Sequence, residues 1–297
     1  MTFLRRADTE HAIQQTQVTP MQTIRTVKDI RATVAQWKAQ GLRVGLVPTM
    51  GFLHDGHMAL VAAALKQADR VVTTIFVNPS QFGEAADLEA YPRDEARDLA
   101  MLEKAGVHAV FIPEVETIYP QGDETIVETT RMANMLHGVV RPGHFRGVTT
   151  VVARLFNIVG ADVACFGEKD YQQLAIIKRM VADLHVPITI HGVPTVREAD
   201  GLAMSSRNVR LSKEDRAAAT VLSRSLKAAE TANTVERIQH IIRETFASEP
   251  RADLIGLDIA DAATLAPVTG VLSAPTAVML SAQLGDVLLI DQRVFEP

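Results

Sequence analysis

The sequence predicts an α/β fold: a parallel β-sheet with helices on both faces, followed by a smaller C-terminal α+β domain. Three observations carry this. Short β-branched runs alternate with segments of helical periodicity up to about residue 184. Those runs are apolar almost throughout rather than at every second position, as strands buried on both faces are. After residue 208 the pattern changes to helical segments followed by three strand-like ones.

Between Thr26 and Gln40, residues Val27, Ile30, Val34 and Trp37 recur at helical spacing, with Gly41 where a C-terminal cap belongs. RVGLVP (43–48) reads as a strand, GHMALVAAALKQA (56–68) as a helix and RVVTTIFVN (70–78) as a second strand, which makes one βαβ unit. The helix after the proline in YPRDEARDLAMLEKAG (91–106) and the strand VHAVFIP (107–113) continue the alternation. Residues 185–208, HVPITIHGVPTVREADGLAMSSRN, read as a long Pro- and Gly-marked connector at a domain boundary. Beyond it, Ser212 with Asp215 forms a helix-capping pattern before an Ala-rich helix, a second helix starts near Thr234, and LIGLDI, TAVMLSA and DVLLID read as strands. The division expected is a poorly ordered N-terminal extension (1–23), a main domain (24–195) and a C-terminal domain (196–297).

A chain of 297 residues that is 47% hydrophobic can build real cores. Its net charge of -5 supplies no general basic field, so nucleic acid is not an expected partner and any polyanion must be met by a local cluster. No apolar run approaches the ~20 residues a membrane span requires, and the first residues lack a secretory h-region. A soluble cytoplasmic protein is expected. The one cysteine, Cys165 in VACFG, reads as a small buried hydrophobe.

VPTMGFLHDGHMALV (47–61) carries an apolar strand through a turn with two histidines and into an apolar helix. Thr49 to Leu53 fall where a parallel strand ends and its helix begins, the place where open α/β sheets bind ligands. The first helical turn exposes unpaired N–H groups at the positive end of the helix dipole, a natural phosphate site. His54 and His57, at i and i+3, project from that turn. They read as donors to charge on phosphorus, as surface histidines of a polar loop, or as two metal ligands lacking a third, since no HExxH or cysteine pair is near; metal ligands stay unassigned.

In IFVNPSQFG (75–83), Asn78 and Gln81 offer amide hydrogen bonds to a polar substrate, although Asn-Pro is also a plain turn signal. FGEKDYQQL (166–174) repeats the strand–turn–helix arrangement, with Gly167 at the turn and Lys169, Asp170 and Gln173 at the mouth of a helix. A lysine there opposes the dipole, which suits an anionic ligand or an ordinary Lys–Asp surface turn. MSSRN (204–208) offers two hydroxyls and a guanidinium suited to phosphate, in a segment where Ser-rich loops are common.

Together these residues resemble the nucleotidylyltransferase superfamily that includes the class I aminoacyl-tRNA synthetases, in which a histidine pair at a strand–helix turn and a Met-Ser loop flank ATP. Within it, PTMGFLHDGH, FVNPSQF, YPR, RPGHFRGV, FGEKDYQQL and PTVREADGLAMSSRN follow the order of the pantoate–β-alanine ligase family over most of residues 24–210. The resemblance implies a Rossmann-like domain, a smaller C-terminal lid and a homodimer. It also implies ATP- and Mg²⁺-dependent joining of (R)-pantoate to β-alanine through an enzyme-bound pantoyl adenylate. Carried over position by position, it puts Met50, Gly51, His54, His57, Gly167, Glu168, Lys169, Asp170, Val196, Met204, Ser205, Ser206 and Arg207 at ATP. His57 becomes a proton donor, with His54, Lys169 and Arg207 assisting catalysis. Gln81 and Gln173 would hold pantoate, Gln81 also lying near β-alanine, with Asn78 and Arg141 as further substrate residues.

The departures are few. Phe52 and Asp55 stand where alanine and glutamate are common, and SAPTAVMLSAQLGDVLLIDQ lacks the arginines often seen in that part of the family. Ala203 and Ser206 stand where the class I loop carries lysines, which leaves the positive charge to Lys169 and Arg207. Two other readings stay open: a nucleotidylyltransferase for a phosphorylated acceptor, and a nucleotide-binding regulator without turnover.

Overall fold

The computed structural model describes residues 20–83 and 88–297. The extension predicted over 1–23 lies largely outside them, but its last residues do not: Gln22–Ile24 form strand β1 and pair with β4 (Ala109–Phe111). Three residues at a sheet edge with only Ile24 buried leave no periodicity to read.

The remaining strands of the main sheet are β2 (Val44–Thr49), β3 (Arg70–Ile75), β5 (Val163–Gly167) and β6 (Thr189–Val193). The order is β1-β4-β3-β2-β5-β6, and every pairing is parallel. Strand β6 lies within the segment that reads as a connector. It is a partly exposed edge between Pro187 and Pro194, so its composition resembles a loop even though it pairs with β5 from Val163↔Thr189 to Gly167↔Val193.

Alternation along each strand serves two cores. Val44 and Leu46, Val72, Phe111, Ala164 and Phe166 point to one face, where helices α1 (Val27–Ala39), α6 (His144–Val159) and α7 (Tyr171–Asp183) bury Ile30, Trp37, Phe156 and Ile177. Val47, Val71, Val110 and Cys165 point to the other, against Val61 and Ala64 of α2 (Asp55–Gln67) and Leu102 of α3 (Glu95–Lys104). Burial on both sides explains runs that are apolar throughout. Two short helices, α4 (Val115–Ile118) and α5 (His137–Val140), lie in the long passage from β4 to α6.

The strand order runs one way from β2 through β4 and the other way from β5 to β6, so the sheet reverses between β2 and β5. The carboxyl ends of those strands part there and open a crevice, the usual ligand site of an open α/β sheet. Among the described residues no helix is long and apolar enough to cross a membrane.

The C-terminal part comprises α8 (Lys213–Ala218), α9 (Val221–Ala229) and α10 (Val235–Ala247), then an antiparallel sheet β7-β8-β9 (Asp253–Asp261, Thr276–Leu284, Val287–Phe295). Its core joins Leu222, Leu226, Ile238 and Ile242 to Val278, Leu280, Leu289 and Phe295. Among the described residues, side-chain hydrogen bonds tie this part to the main domain. Tyr171 donates its hydroxyl to Ala262 O at 2.8 Å, and Arg131 Nη2 donates to Thr264 O at 2.9 Å. Arg197, just after β6, grips Asp291 of β9 with two parallel bonds of 2.7 and 2.9 Å.

The Asp291 side chain is 1% exposed, so its charge depends on Arg197. Asp291→Ala leaves that guanidinium unpaired and should cost about 3 kcal/mol or more in urea denaturation, whereas Arg197→Met with Asp291→Leu should recover most of the loss. An Asp291→Ala protein as stable as wild type would show that the pair does not hold the sheet in place.

Candidate active site

The crevice is a cleft of about 1030 Å³ whose walls come from the ends of β2 and β5, the first turn of α2, the segments near residues 78–82 and 137–145, the loop 194–207 and the facing side of the β7–β9 sheet. Of the residues singled out in the sequence, Met50, His54, His57, Asn78, Gln81, Arg141, Gly167, Lys169, Asp170, Gln173, Val196 and Met204 to Arg207 line it. Gly51 and Glu168 do not line it. Gly51 is buried against Asp98 and Ile75, and the Glu168 side chain lies against Gly192 of β6.

The turn from Thr49 to His57 differs in chemistry from the open N–H cradle its sequence suggests. Gly51 N–H donates to Thr49 Oγ1 at 3.2 Å, while Phe52 and Leu53 N–H donate to the Asp98 carboxylate, each at 2.7 Å. His54 N–H donates to His57 Nδ1 at 3.2 Å, and Gly56 N–H donates to His54 Nδ1 at 3.1 Å. The two histidines thus form a capping box, each ring accepting a backbone N–H that a Ser or Glu would accept in the usual version. Gly56 is required because a Cβ there would sit 2.8 Å from the His54 ring.

A backbone N–H can only donate, so both Nδ1 atoms are bare and both rings are neutral with the proton on Nε2. Burial lowers His54 to about 4, with Lys169 adding to the effect, and lowers His57 to about 3, with His54 adding. The ring centroids are 4.1 Å apart. The two rings that line the cleft therefore offer imidazole N–H donors, while the amides of Gly51 to His54 and of Gly56 are engaged within the turn. The positive end of the helix polarises both rings.

His144 has the opposite tautomer. Its Nδ1 lies 2.8 Å from Gln81 O, and a carbonyl only accepts, so Nδ1 carries the proton and Nε2 is an acceptor. Burial lowers this ring to about 4, assisted by Arg141.

The amides sort into two kinds. Asn78 is 1% exposed and spends its whole amide inside the protein: Oδ1 accepts from Tyr119 Oη at 2.7 Å and from Ser80, while Nδ2 donates to Gly147 O and to Gln81 Oε1 at 3.0 Å. It orients Gln81 and has no donor left for a ligand. Gln172 likewise spans His137 N, Met132 O and Met135 O, holding the segment before α5, whereas Gln173 faces the cleft.

Lys169 and Arg207 both line the cleft, with Asp170 Oδ2 3.9 Å from Lys169 Nζ. The Met204–Arg207 segment is anchored from behind. Ser205 Oγ caps Arg207 N–H, Asn208 Nδ2 bonds Glu198 Oε1 at 2.9 Å, and Arg216 pairs with both Glu198 and Asp200. Arg141 and Arg210 also line the cleft, where Lys169, Arg207 and these two face the carboxylates of Asp170, Asp258, Asp286 and Asp291. Two lining residues lie in quoted segments, YPR and PTVREADGLAMSSRN, without being singled out there: Tyr91, whose hydroxyl is 3.4 Å from Ser206 Oγ, and Thr195, whose buried hydroxyl has no partner among the described residues. Burial pushes the Cys165 thiol up to about 11, and it lies in the core beneath the sheet.

Protonation of the pair is linked to folding. The unfolded histidines titrate near about 6.5, above their folded values, so the unfolded state binds more protons as pH falls and the stabilisation present above pH ~6.5 is lost towards the folded values. Stability should fall as pH drops from about 6.5 towards 4, with a shallower slope in a His54→Gln/His57→Gln variant. Equal slopes in the two proteins would show that the rings are not held neutral.

Comparison with known proteins agrees with this geometry. The family described as pantoate-beta-alanine ligase matches residues 22–294. Pantothenate synthetase of Bartonella tribocorum is 47% identical over 281 residues, covering 93% of this chain and 98% of the relative, and that of Agrobacterium fabrum is 48% identical over 279 residues, covering 92% and 96%. Among solved structures, pantothenate synthetase from Thermus thermophilus superposes with a TM-score of 0.88 at 44% identity, over 93% of this chain and all of the other. Pantoate-beta-alanine ligase from Francisella tularensis, described as complexed with beta-gamma ATP and beta-alanine, does so at 0.78 and 33%, over 92% and 97%. The chain belongs to the pantoate–β-alanine ligase family, the pantothenate synthetases.

Proposed function

We propose that this chain condenses (R)-pantoate with β-alanine, converting ATP to AMP and diphosphate by way of a bound pantoyl adenylate, and that it does so in the cytoplasm as a homodimer. The observation that carries the reading is the pair of neutral, cap-locked imidazoles at the sheet's reversal point, lining one cleft with Lys169 and Arg207. In a protein of this family, that arrangement suits charge developing on a phosphorus centre.

In the first step the pantoate carboxylate oxygen bonds to the α-phosphorus and the bond to diphosphate breaks. The barrier is largely one of positioning and charge repulsion. His54 and His57 answer the charge with fixed Nε2–H donors, and Lys169 and Arg207 answer it with full charges, none of which must reorganise. A ring held neutral by burial can hydrogen-bond the transition state through its Nε2–H, a role that stands beside the proton-donor role the resemblance implies for His57. Gln81, oriented by Asn78, and Gln173 suit the hydroxyls of a small uncharged-headed acid. Arg141 supplies charge for a substrate carboxylate at the same end.

In the second step the β-alanine amine attacks the acyl carbon and AMP leaves. Tyr91, the Met204–Arg207 loop and the β7–β9 sheet wall the cleft and limit water's access to the anhydride. No group of three or more His, Cys, Asp or Glu among the described residues could hold a metal ion by itself. Mg²⁺ is commonly held by one or two carboxylates together with substrate phosphates, and Asp170, beside Lys169 in the cleft, would be the carboxylate to hold it. The ion would neutralise phosphate charge there.

Labelled diphosphate should exchange into ATP with pantoate and Mg²⁺ present and β-alanine absent, and β-alanine should then release AMP and pantothenate in equal amounts. His57→Ala should slow the exchange by about 10²-fold or more. Exchange that requires β-alanine or a phosphorylated acceptor, or ADP in place of AMP, would overturn the reading. No exchange under any condition would leave only a binding protein.

A further inference from the structure

The turn that delivers the histidine pair is conformationally costly. Gly51 has φ 80° and Phe52 has φ 49°, two successive left-handed residues, and the second carries a bulky side chain that disfavours that region. Neighbouring side chains of α3 hold it there. Asp98, 1% exposed, takes Phe52 N–H on Oδ2 and Leu53 N–H on Oδ1, both at 2.7 Å. Arg97 donates from Nη2 to Leu53 O at 2.8 Å and lies 5.2 Å over the Phe52 ring. A Cβ on Gly51 would stand 3.0 Å from Asp98 Oδ2, so glycine is what lets the carboxylate come this close.

The next N–H in the chain belongs to His54, and it is the donor that fixes the His57 ring. The two Asp98 bonds, at 2.7 Å, are short charge-assisted ones and hold the backbone before His54 against α3. Resting on the functional reading above, we propose that Asp98 is a positioning residue for adenylation: it fixes the backbone entering His54 and so sets the direction of both Nε2–H donors without touching substrate.

Asp98→Asn tests this because an amide keeps the volume but has one acceptor oxygen, and its NH₂ must face one of the two backbone N–H groups. The variant should lose about 10- to 100-fold in kcat for pantoate-dependent exchange, the scale of a misplacement near 1 Å, while KM for ATP moves less than about threefold. In a His57→Ala background the same change should cost clearly less than in wild type, because the His57 share of the alignment is already gone and only that of His54 is left to lose. Gly51→Ala, which keeps the carboxylate and presses a methyl against it, should give the same kcat-selective loss and stands in if Asp98→Asn is poorly folded.

A readout independent of turnover separates this proposal from the functional reading. Followed by NMR, the His57 ring should titrate at higher pH in Asp98→Asn than in wild type, because the His54 N–H that favours its bare Nδ1 is no longer held. Wild type lacking exchange but showing this shift would sink the assigned reaction and keep the positioning role. Full kcat in Asp98→Asn, or an undiminished loss in the His57→Ala background with an unmoved titration, would show that Asp98 acts on folding alone.

Discussion

The start of α2 is closed by His54 and His57, each ring accepting a backbone N–H through Nδ1. That arrangement fixes three things together. It satisfies helix-terminal donors that would otherwise need solvent, it removes any proton from both Nδ1 atoms, and it leaves the donor on each Nε2. The remaining parts of the site are consistent with it. Gly56 makes room for the first ring, burial keeps both rings neutral, and Lys169 opposes any added charge on His54. An open glycine loop could cradle a phosphate with backbone amides, but here the N–H groups of Gly51 to His54 and of Gly56 are already used.

Supports for the working side chains sit one layer behind the cleft. Asn78 and Tyr119 stand behind Gln81, and Asp98 stands behind Phe52 and Leu53. Glu198 and Arg216 stand behind the Met204–Arg207 segment, while the Arg197–Asp291 pair sets the antiparallel sheet over the opening. The groups facing the cleft need little reorganisation when charge develops, which is the condition for preorganised electrostatic stabilisation. Opposite tautomers add selectivity of a simple kind. The His54 and His57 rings offer N–H to an anion, whereas His144 offers a lone pair.

Much of this was legible in the sequence, for physical reasons. The strands β2, β3 and β5 are buried on both faces and read as apolar runs, and α1 shows its Ile30, Val34 and Trp37 stripe. Strands β1 and β6 were hidden because edge strands are short or half exposed and carry no such run. The HDGH spacing marked a helix start, but it did not show that the rings would consume the N–H groups they seemed to leave open. Gln172 and Gln173 are indistinguishable as neighbours in a sequence, and only the fold sends one to Met132 and Met135 and the other to the cleft. Asp98 reads as one more charge on the amphipathic α3; its partners Phe52 and Leu53 lie far away in the chain and are bonded through backbone atoms, which carry no side-chain signature.

The protonation of the two rings decides what the helix terminus offers a ligand, and long-range ¹H–¹⁵N correlation of the imidazoles at neutral pH observes it directly. His54 and His57 should each show a protonated Nε2 and a bare Nδ1, and should keep that pattern when the solution is taken to pH 5.5. Either ring found as the Nδ1–H tautomer, or doubly protonated in that range, would contradict the mutual cap and the transition-state role built on it.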